Sequence, residues 1–276
     1  MSHKFAFRLA ALLAFRLAAL LIVAFIGSAH AQQAAAPAAP AAAYKPEPGQ
    51  QGKDVIWLPT PQVVVDKMLE VARVGSSDVV MDLGSGDGRT VITAAKLGAR
   101  ALGIEYNPDM VEFAKRNAED AGVTAKASFV KADLFETSFA EASVITMFLL
   151  PRINLELRPK ILGLKPGTRI VSNTFTMGDW LADTEIDLSG QPGCNSSFCR
   201  VLYWEVPQRV AGTYNVSQGE VTLAQEHQML TGTLKSGGAT LDLKGRVKGE
   251  AIEFSAGNKR YQGRLTNGAL ELREAS

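Results

Sequence analysis

The stretch Val79-Val80-Met81-Asp82-Leu83-Gly84-Ser85-Gly86-Asp87-Gly88 decides the fold. A short apolar run flows into three glycines at alternate positions. Arg89 then opens a segment whose apolar residues recur at helical spacing, so the chain turns here from a strand into a helix. Glycines at such a turn let the backbone approach a ligand with no side chain between them.

Working outward, Thr60-Pro61 caps a stretch in which Val64, Val65, Met68, Leu69 and Ala72 share one helical face, which predicts a helix over 60–72. Beyond the glycines the pattern predicts a helix over 89–97, a strand over 99–105, a helix over 108–121 and a strand over 127–132. A strand over 143–148, a helical stretch to about 162 and a strand over 168–174 continue the alternation. Such alternation implies an α/β fold with a parallel, Rossmann-like sheet covered by helices on both faces. Segments 184–188 and 200–206 are expected to close it as a hairpin. After Pro207 seven short alternating segments separated by Gly, Asn or Ser turns predict a small antiparallel β-meander; its Gly-x-apolar phrasing reads as hairpin punctuation or as a weak repeat.

The expected organisation is a signal peptide over 1–31, an Ala/Pro-rich linker over 32–53, the α/β domain over 54–207 and the β domain over 208–276. Lys4, Arg8 and Arg16 accompany an apolar run over 17–26, and Ala29-His30-Ala31 offers a small-x-small cleavage site. Cleaved signal, retained anchor and transit peptide are the three readings of this leader, and the expected location is exported, periplasmic or membrane-anchored. Removing the three leader cations from a net charge of +1 leaves about −2, which does not favour a nucleic-acid partner. Cys194 and Cys199 stand in a Gly/Asn/Ser-rich stretch with no His or further Cys nearby, so no metal site is expected. They are either a disulfide suited to an oxidising compartment or two unrelated thiols.

Two acids add chemistry to the glycine loop. Glu105 ends the second strand, in Gly103-Ile104-Glu105-Tyr106-Asn107-Pro108, where a carboxylate can accept from both hydroxyls of a ribose. Asp133 ends the third, where it can take the exocyclic amine of adenine with Leu134 beside the ring. A dinucleotide site competes for this pattern. Its usual third glycine is replaced by Arg89, however, and Asp82 would face anionic phosphates. A cationic ligand suits Asp82 better, and S-adenosylmethionine carries a sulfonium and an ammonium.

With these motifs the sequence resembles class I S-adenosylmethionine-dependent methyltransferases. Within them it is similar to the family of the lysine methyltransferases of the ATP synthase c-subunit and the adenine nucleotide translocase. The resemblance rests on Pro59-Thr60-Pro61, the stretch from Asp82 to Arg89, that from Gly103 to Pro108, Asp133-Leu134, Leu149-Leu150-Pro151 and that from Lys165 to Ser172. It implies S-adenosyl-L-methionine as cofactor, bound through Asp82, Gly84, Ser85, Gly86, Gly88, Glu105, Asn107, Asp133 and Leu134. It also implies a substrate channel lined by Phe148, Leu149 and Pro151. Relatives carry an acid at the start of the fourth strand and a Tyr near its end; here Ser143 and Phe148 stand there, so no catalytic base is assigned. None is required, because methyl transfer from a sulfonium is an in-line displacement in which positioning supplies much of the acceleration. Phe148 and Leu149 are equally readable as packed strand residues.

The expected activity is therefore methyl transfer to an amine acceptor, a small molecule or a protein lysine. The alternative from another class is an exported binding protein on a silent methyltransferase scaffold, its β domain contacting a lipid, glycan or protein. Export also sets a tension, since S-adenosylmethionine is made in the cytoplasm.

Overall fold

The computed structural model describes residues 44–275; the expected leader and the expected linker up to residue 43 lie outside the described residues. Helix α1 (Gln62–Val71) precedes β1 (Val79–Leu83), α2 (Arg89–Lys96), β2 (Arg100–Glu105), α3 (Pro108–Asp120) and β3 (Ala127–Lys131). There follow β4 (Val144–Met147), α4 (Pro151–Leu162), β5 (Arg169–Asn173), β6 (Thr184–Asp187) and β7 (Arg200–Glu205). These strands form one sheet in the order β3-β2-β1-β4-β5-β7-β6. β1 to β5 are parallel, and β7 runs antiparallel to both β5 and β6. Leaving β1 the chain steps outward to β2 and β3, then returns to the other side of β1 as β4. That reversal opens a crevice at the carboxyl ends of β1 and β4, the usual ligand position in such sheets.

Both faces of the sheet are covered, which is why its central strands read as unbroken apolar runs. Val80, Val144, Val171 and Val201 pack with the buried faces of α1, α2 and α3, including Val64, Met68 and Val91. On the opposite face Leu83, Ile145, Met147 and Ile170 meet Ile153, Leu157 and Ile161 of α4, with Trp180 and Trp204 beneath. The β6–β7 connection carries a Cys194–Cys199 disulfide, its Cα atoms 6.0 Å apart, so the bonded reading of the two cysteines is the one the fold adopts.

The second sheet is a seven-stranded meander of β8 (Gly212–Val216), β9 (Gly219–Glu226), β10 (Met229–Ser236), β11 (Ala239–Lys248), β12 (Ala251–Ala256), β13 (Lys259–Thr266) and β14 (Ala269–Ala275). It encloses its own core around Leu223, Leu230, Leu234, Val247, Ile252 and Phe254. Its first and last strands approach each other, where Gln218 Nε2 donates to Leu272 O at 3.4 Å. It is joined to the first sheet by polar contacts: Arg246 pairs with the buried Asp183 carboxylate, and Gln228 Nε2 donates to Leu181 O at 2.7 Å.

The structure differs from the expected organisation at the amino-terminal boundary. Residues 44–53, expected as linker, pack on the α/β domain. The Tyr44 ring meets Phe113 edge-on at 6.4 Å, and Arg116 donates to Tyr44 O at 3.1 Å. Residues 49–57 fold into a tight hairpin, with Gly49 N donating to Trp57 O at 2.8 Å and Trp57 N to Gln50 O at 2.9 Å. The reason is compositional: the Ala/Pro bias ends at Pro48, and Gln50, Lys53 and Trp57 then supply side chains that find partners on the domain. Among the described residues no helix is long and apolar enough to cross a membrane.

Candidate active site

One cavity of about 260 Å³ lies over the carboxyl ends of β2, β1 and β4. Its floor is the glycine loop, where Gly84, Gly86 and Gly88 have φ of +76°, +52° and +82°, a region that side-chain-bearing residues avoid. Gly84 and Gly86 open onto the cavity. A Cβ on Gly84 would stand 3.2 Å from Leu149 Cδ2, and one on Gly86 would stand 2.4 Å from Trp57 Nε1.

Gly88 departs from the sequence expectation because it does not line the cavity. A Cβ there would come within 2.7 Å of the Phe129 ring and 3.0 Å of Ala114 Cβ. Gly88 therefore lets α2 start flush against β3 and α3, which is the helix-packing duty of the third glycine in a dinucleotide loop. Pro151 is the second correction. It is an exposed first residue of α4, where its missing N–H costs nothing, and Leu150 and Ile153 line the cavity instead.

Asp82, the penultimate residue of β1, is a buried carboxylate that accepts from Thr146 Oγ1 at 2.6 Å. Burial, reinforced by the charges of Asp87 and Glu105, pushes its pKa up to about 7 against the hydrogen bonds from Thr146 and Thr90. A carboxylate held this way is best neutralised by a cation. Ser85 follows as a buried hydroxyl with no hydrogen-bond partner among the described residues.

Glu105 ends β2 with both oxygens engaged by the loops it joins. Gly86 N donates to Oε2 at 3.1 Å and Asn107 N to Oε1 at 2.9 Å. Each oxygen keeps a further lone pair, so the carboxylate is fixed in orientation and still able to accept. Asn107 lines the cavity, yet its side chain caps α3 by accepting from Asp109 N at 2.9 Å. Asp133 follows β3 and accepts from Phe135 N at 2.9 Å; Leu134 lines the wall beside it.

Sequence reasoning missed what Asp133 meets here. Lys53, from the hairpin at 49–57, places Nζ 2.5 Å from Asp133 Oδ2 and 4.7 Å from the Tyr106 ring centroid. Their hydrogen bond holds the Asp133 carboxyl below and the Lys53 ammonium above its usual range. The hairpin thus covers the β2–β3 end of the cavity, and Trp57 covers the glycine loop. No sequence pattern announces this, although a tryptophan two residues before the Pro59-Thr60-Pro61 element was a visible signal.

The opposite end, beyond β4, is apolar. Phe148 joins Leu149, Leu150 and Ile153 in the wall, and Phe175 and Phe198, which the sequence did not single out, complete it. Ser143, standing where relatives carry an acid, immediately precedes β4 at the far end of the sheet. Its hydroxyl donates to Asp78 Oδ1 at 2.8 Å and accepts from Val79 N at 3.0 Å, a structural duty away from the cavity.

An unsatisfied buried hydroxyl, two cavity-lining glycines at positive φ and a buried carboxylate suited to a positive partner together fit an S-adenosylmethionine-type ligand. Comparison with known proteins agrees. A family model described as the ANTKMT methyltransferase domain matches residues 82–184. A protein-lysine N-methyltransferase of Saccharolobus islandicus (strain REY15A) is 49% identical over 129 residues, which are 46% of this chain and 80% of that protein. The lysine N-methyltransferase of the ATP synthase c-subunit from Mus musculus is 35% identical over 128 residues, 46% of this chain and 51% of that protein, so the chain spans about half the length of this relative. A solved RNA methyltransferase from Salinibacter ruber, in complex with S-adenosyl-L-homocysteine, is 46% identical with a TM-score of 0.51, covering 55% of this chain and 96% of that one.

Sheet order, site and relatives define a class I S-adenosylmethionine-dependent methyltransferase, with S-adenosyl-L-methionine as its cofactor. Within that class the chain belongs to the family of the ANTKMT methyltransferase domain. These three relatives are methyltransferases, and none supports a silent binding scaffold.

Proposed function

We propose that the protein transfers methyl groups to the ε-amine of lysine in a protein acceptor. The observation that carries this reading is the apolar wall beyond β4, where Phe148, Leu149, Leu150 and Ile153 line the cavity with Phe175 and Phe198. Such a wall offers a phosphate no counter-charge and withdraws an amine from water, which favours its neutral, nucleophilic form. The protein-lysine methyltransferase among its relatives supports the same choice.

When bound, S-adenosylmethionine supplies an electrophilic methyl on a sulfonium whose sulfur departs as a thioether. Asp82 and the backbone at Gly84 and Gly86 hold the charged methionine end in this reading, Glu105 the ribose, and Asp133 with Leu134 the adenine. The apolar wall of Leu149, Leu150 and Ile153 faces the acceptor. Withdrawal from water favours the neutral amine, so a lysine entering there releases its proton to solvent and presents a lone pair. The remaining requirement is alignment, which two rigid strand ends supply.

Incubation of the protein with methyl-labelled S-adenosylmethionine and either poly-L-lysine or total RNA tests the reading. Methyl-lysine in the hydrolysed polymer, identified by mass spectrometry, is the expected result; label in RNA alone overturns it. We also propose export, since the Cys194–Cys199 bond is of the kind that persists in oxidising compartments. The mass of the amino terminus recovered from the native host, expected near Gln32, checks this; an intact Met1 contradicts cleavage.

A further inference from the structure

Three phenylalanines from three separate elements meet at the apolar end of the cavity. Phe148 follows β4, Phe175 follows β5, and Phe198 sits in the β6–β7 connection. Phe148 and Phe175 stack with centroids 5.8 Å apart and planes 16° apart. Phe198 stands across both, 5.3 Å from Phe148 at 61° and 5.9 Å from Phe175 at 53°. All three are only half-buried, unlike the core aromatics Trp180, Trp204 and Phe139, so ring surface is left open toward the cavity.

Their positions are enforced locally. Thr174 adopts φ +63°, unusual for a β-branched residue, and this turns the chain so that Phe175 leaves β5 toward the cavity. Ser172 Oγ donates to Phe175 O at 2.7 Å, and Asn154 Nδ2 donates to the same carbonyl at 3.2 Å. Phe198 immediately precedes Cys199, so the buried disulfide to Cys194 anchors the loop that presents it; Phe198 N also donates to Ser196 Oγ at 3.2 Å. Strain, two donors to one carbonyl and a covalent clip are more than filling a gap with apolar volume requires.

In the donor pose proposed above, the trio lies at the methyl end of the site. β4 pairs directly with β1, placing Leu83 beside Met147, so the residues after each strand, Gly84 and Phe148, emerge side by side. Leu149 touches Gly84 from this wall. Ring faces attract cations, weakly hydrated ones most of all, and aromatic corners of this kind select alkylammonium groups.

The geometry points to Phe148, Phe175 and Phe198 as the site that receives the acceptor's alkylammonium group, with the Cys194–Cys199 disulfide positioning Phe198. This deepens the lysine reading above and rests on it for the identity of the acceptor. The trio selects an unbranched amine by its ring faces and holds methylated ammonium better than the bare one, favouring repeated transfer to one nitrogen.

The direct test is NMR of the protein with ring-labelled phenylalanine, loaded with S-adenosyl-L-homocysteine and titrated with n-butylammonium, n-butyltrimethylammonium and n-butanol. Saturable shifts of the three rings are expected with both cations, tighter for the trimethylated one, and not with the alcohol. Phe198→Leu, which keeps apolar volume, should weaken cation binding by roughly 3- to 30-fold, and Phe198→Trp should restore it. The homocysteine product should bind equally well to all variants. With poly-L-lysine the same variants should raise KM and leave kcat nearly unchanged, and Cys194→Ser/Cys199→Ser should resemble Phe198→Leu. Equal response to alcohol and cation, unchanged binding in Phe198→Leu, or parallel loss of product affinity each overturns the assignment. If cations bind at the trio while poly-L-lysine goes unmethylated by the parent protein, the protein-lysine reading falls and the amine site stands. If the polymer is methylated and Phe198→Leu changes nothing, the reverse holds.

Discussion

The two ends of the cavity are built on different principles. At the β1–β2–β3 end, carboxylates stand on successive strand ends, and Asp82, Glu105 and Asp133 are each held by hydrogen bonds from neighbouring chain. At the β4–β5 end no charged side chain among the described residues lines the wall, and Phe148, Phe175 and Phe198 take over. The contrast matches the chemistry assigned to each end. In the proposed reading the donor is a permanent cation that needs fixed counter-charge, whereas the acceptor docks as a cation on ring faces that carry no fixed charge and then gives up its proton to solvent.

Neutralising the buried charge should separate the two ends most sharply. Asp82→Asn keeps the size of the side chain and can keep the Thr146 hydrogen bond, but leaves the donor's positive charge without a partner. Affinity for S-adenosylmethionine should fall by about 100-fold, while n-butylammonium still shifts the phenylalanine rings. Calorimetric titration measures the first effect. Equal loss of both ligands would mean that the ends are not independent.

Gly88 tests which glycines belong to the fold and which to the ligand. Gly88→Ala forces a Cβ into the Phe129 ring at positive φ and should cost about 2 kcal/mol or more of stability, read by thermal or urea unfolding. Gly86→Ala meets the Trp57 indole of the covering hairpin instead, so its larger effect should be on donor affinity. Interchanged outcomes would break the division.

A pH titration gives the next effect. With its folded pKa at about 7 against an ordinary 3.8, Asp82 favours the native state while protonated. That contribution is complete below about pH 4 and is lost as pH rises through 7, so the ligand-free protein should lose stability across this range. Donor binding runs the other way. If only the carboxylate form binds the cation, affinity should rise about 10-fold from pH 6 to pH 8 and stay flat in Asp82→Asn. The smallest expected effect is at Lys53, whose ammonium occupies the Asp133 oxygen that accepts from adenine in the proposed donor pose. Lys53→Ala should tighten donor binding by up to about 5-fold, the scale of an exposed ion pair. A weaker complex would show that Lys53 clasps the ligand and does not compete with it.

The same contrast explains what could be read in the sequence. The donor end is written locally: Asp82, Glu105 and Asp133 stand at or just past the ends of β1, β2 and β3, so pattern alone finds the acids. Strand periodicity also placed all seven strands of the meander. The acceptor end is not local, because Phe148, Phe175 and Phe198 are brought together by three connections and a disulfide. The covering hairpin escaped for another reason. Lys53 and Trp57 follow an Ala/Pro-rich stretch, and nothing in their composition shows that Asp133 and Gly86 lie within reach. Adjacency to the motifs points Gly88 and Pro151 toward the ligand, whereas packing against Phe129 and the start of α4 decide their duties in the fold.

The central claim is that this cavity holds S-adenosylmethionine with Glu105 on its ribose. Isothermal titration with the donor measures it directly on the parent protein, Glu105→Ala, Glu105→Gln and the nearby Asp109→Ala. Glu105 also orders Gly86 and Asn107, so the glutamine variant separates lost charge from lost loop order. One equivalent of donor should bind the parent and Asp109→Ala alike, with Glu105→Ala weaker by about 100-fold and Glu105→Gln in between. A parent that binds no donor, or a Glu105→Ala variant that binds it as tightly as the parent, would contradict the account.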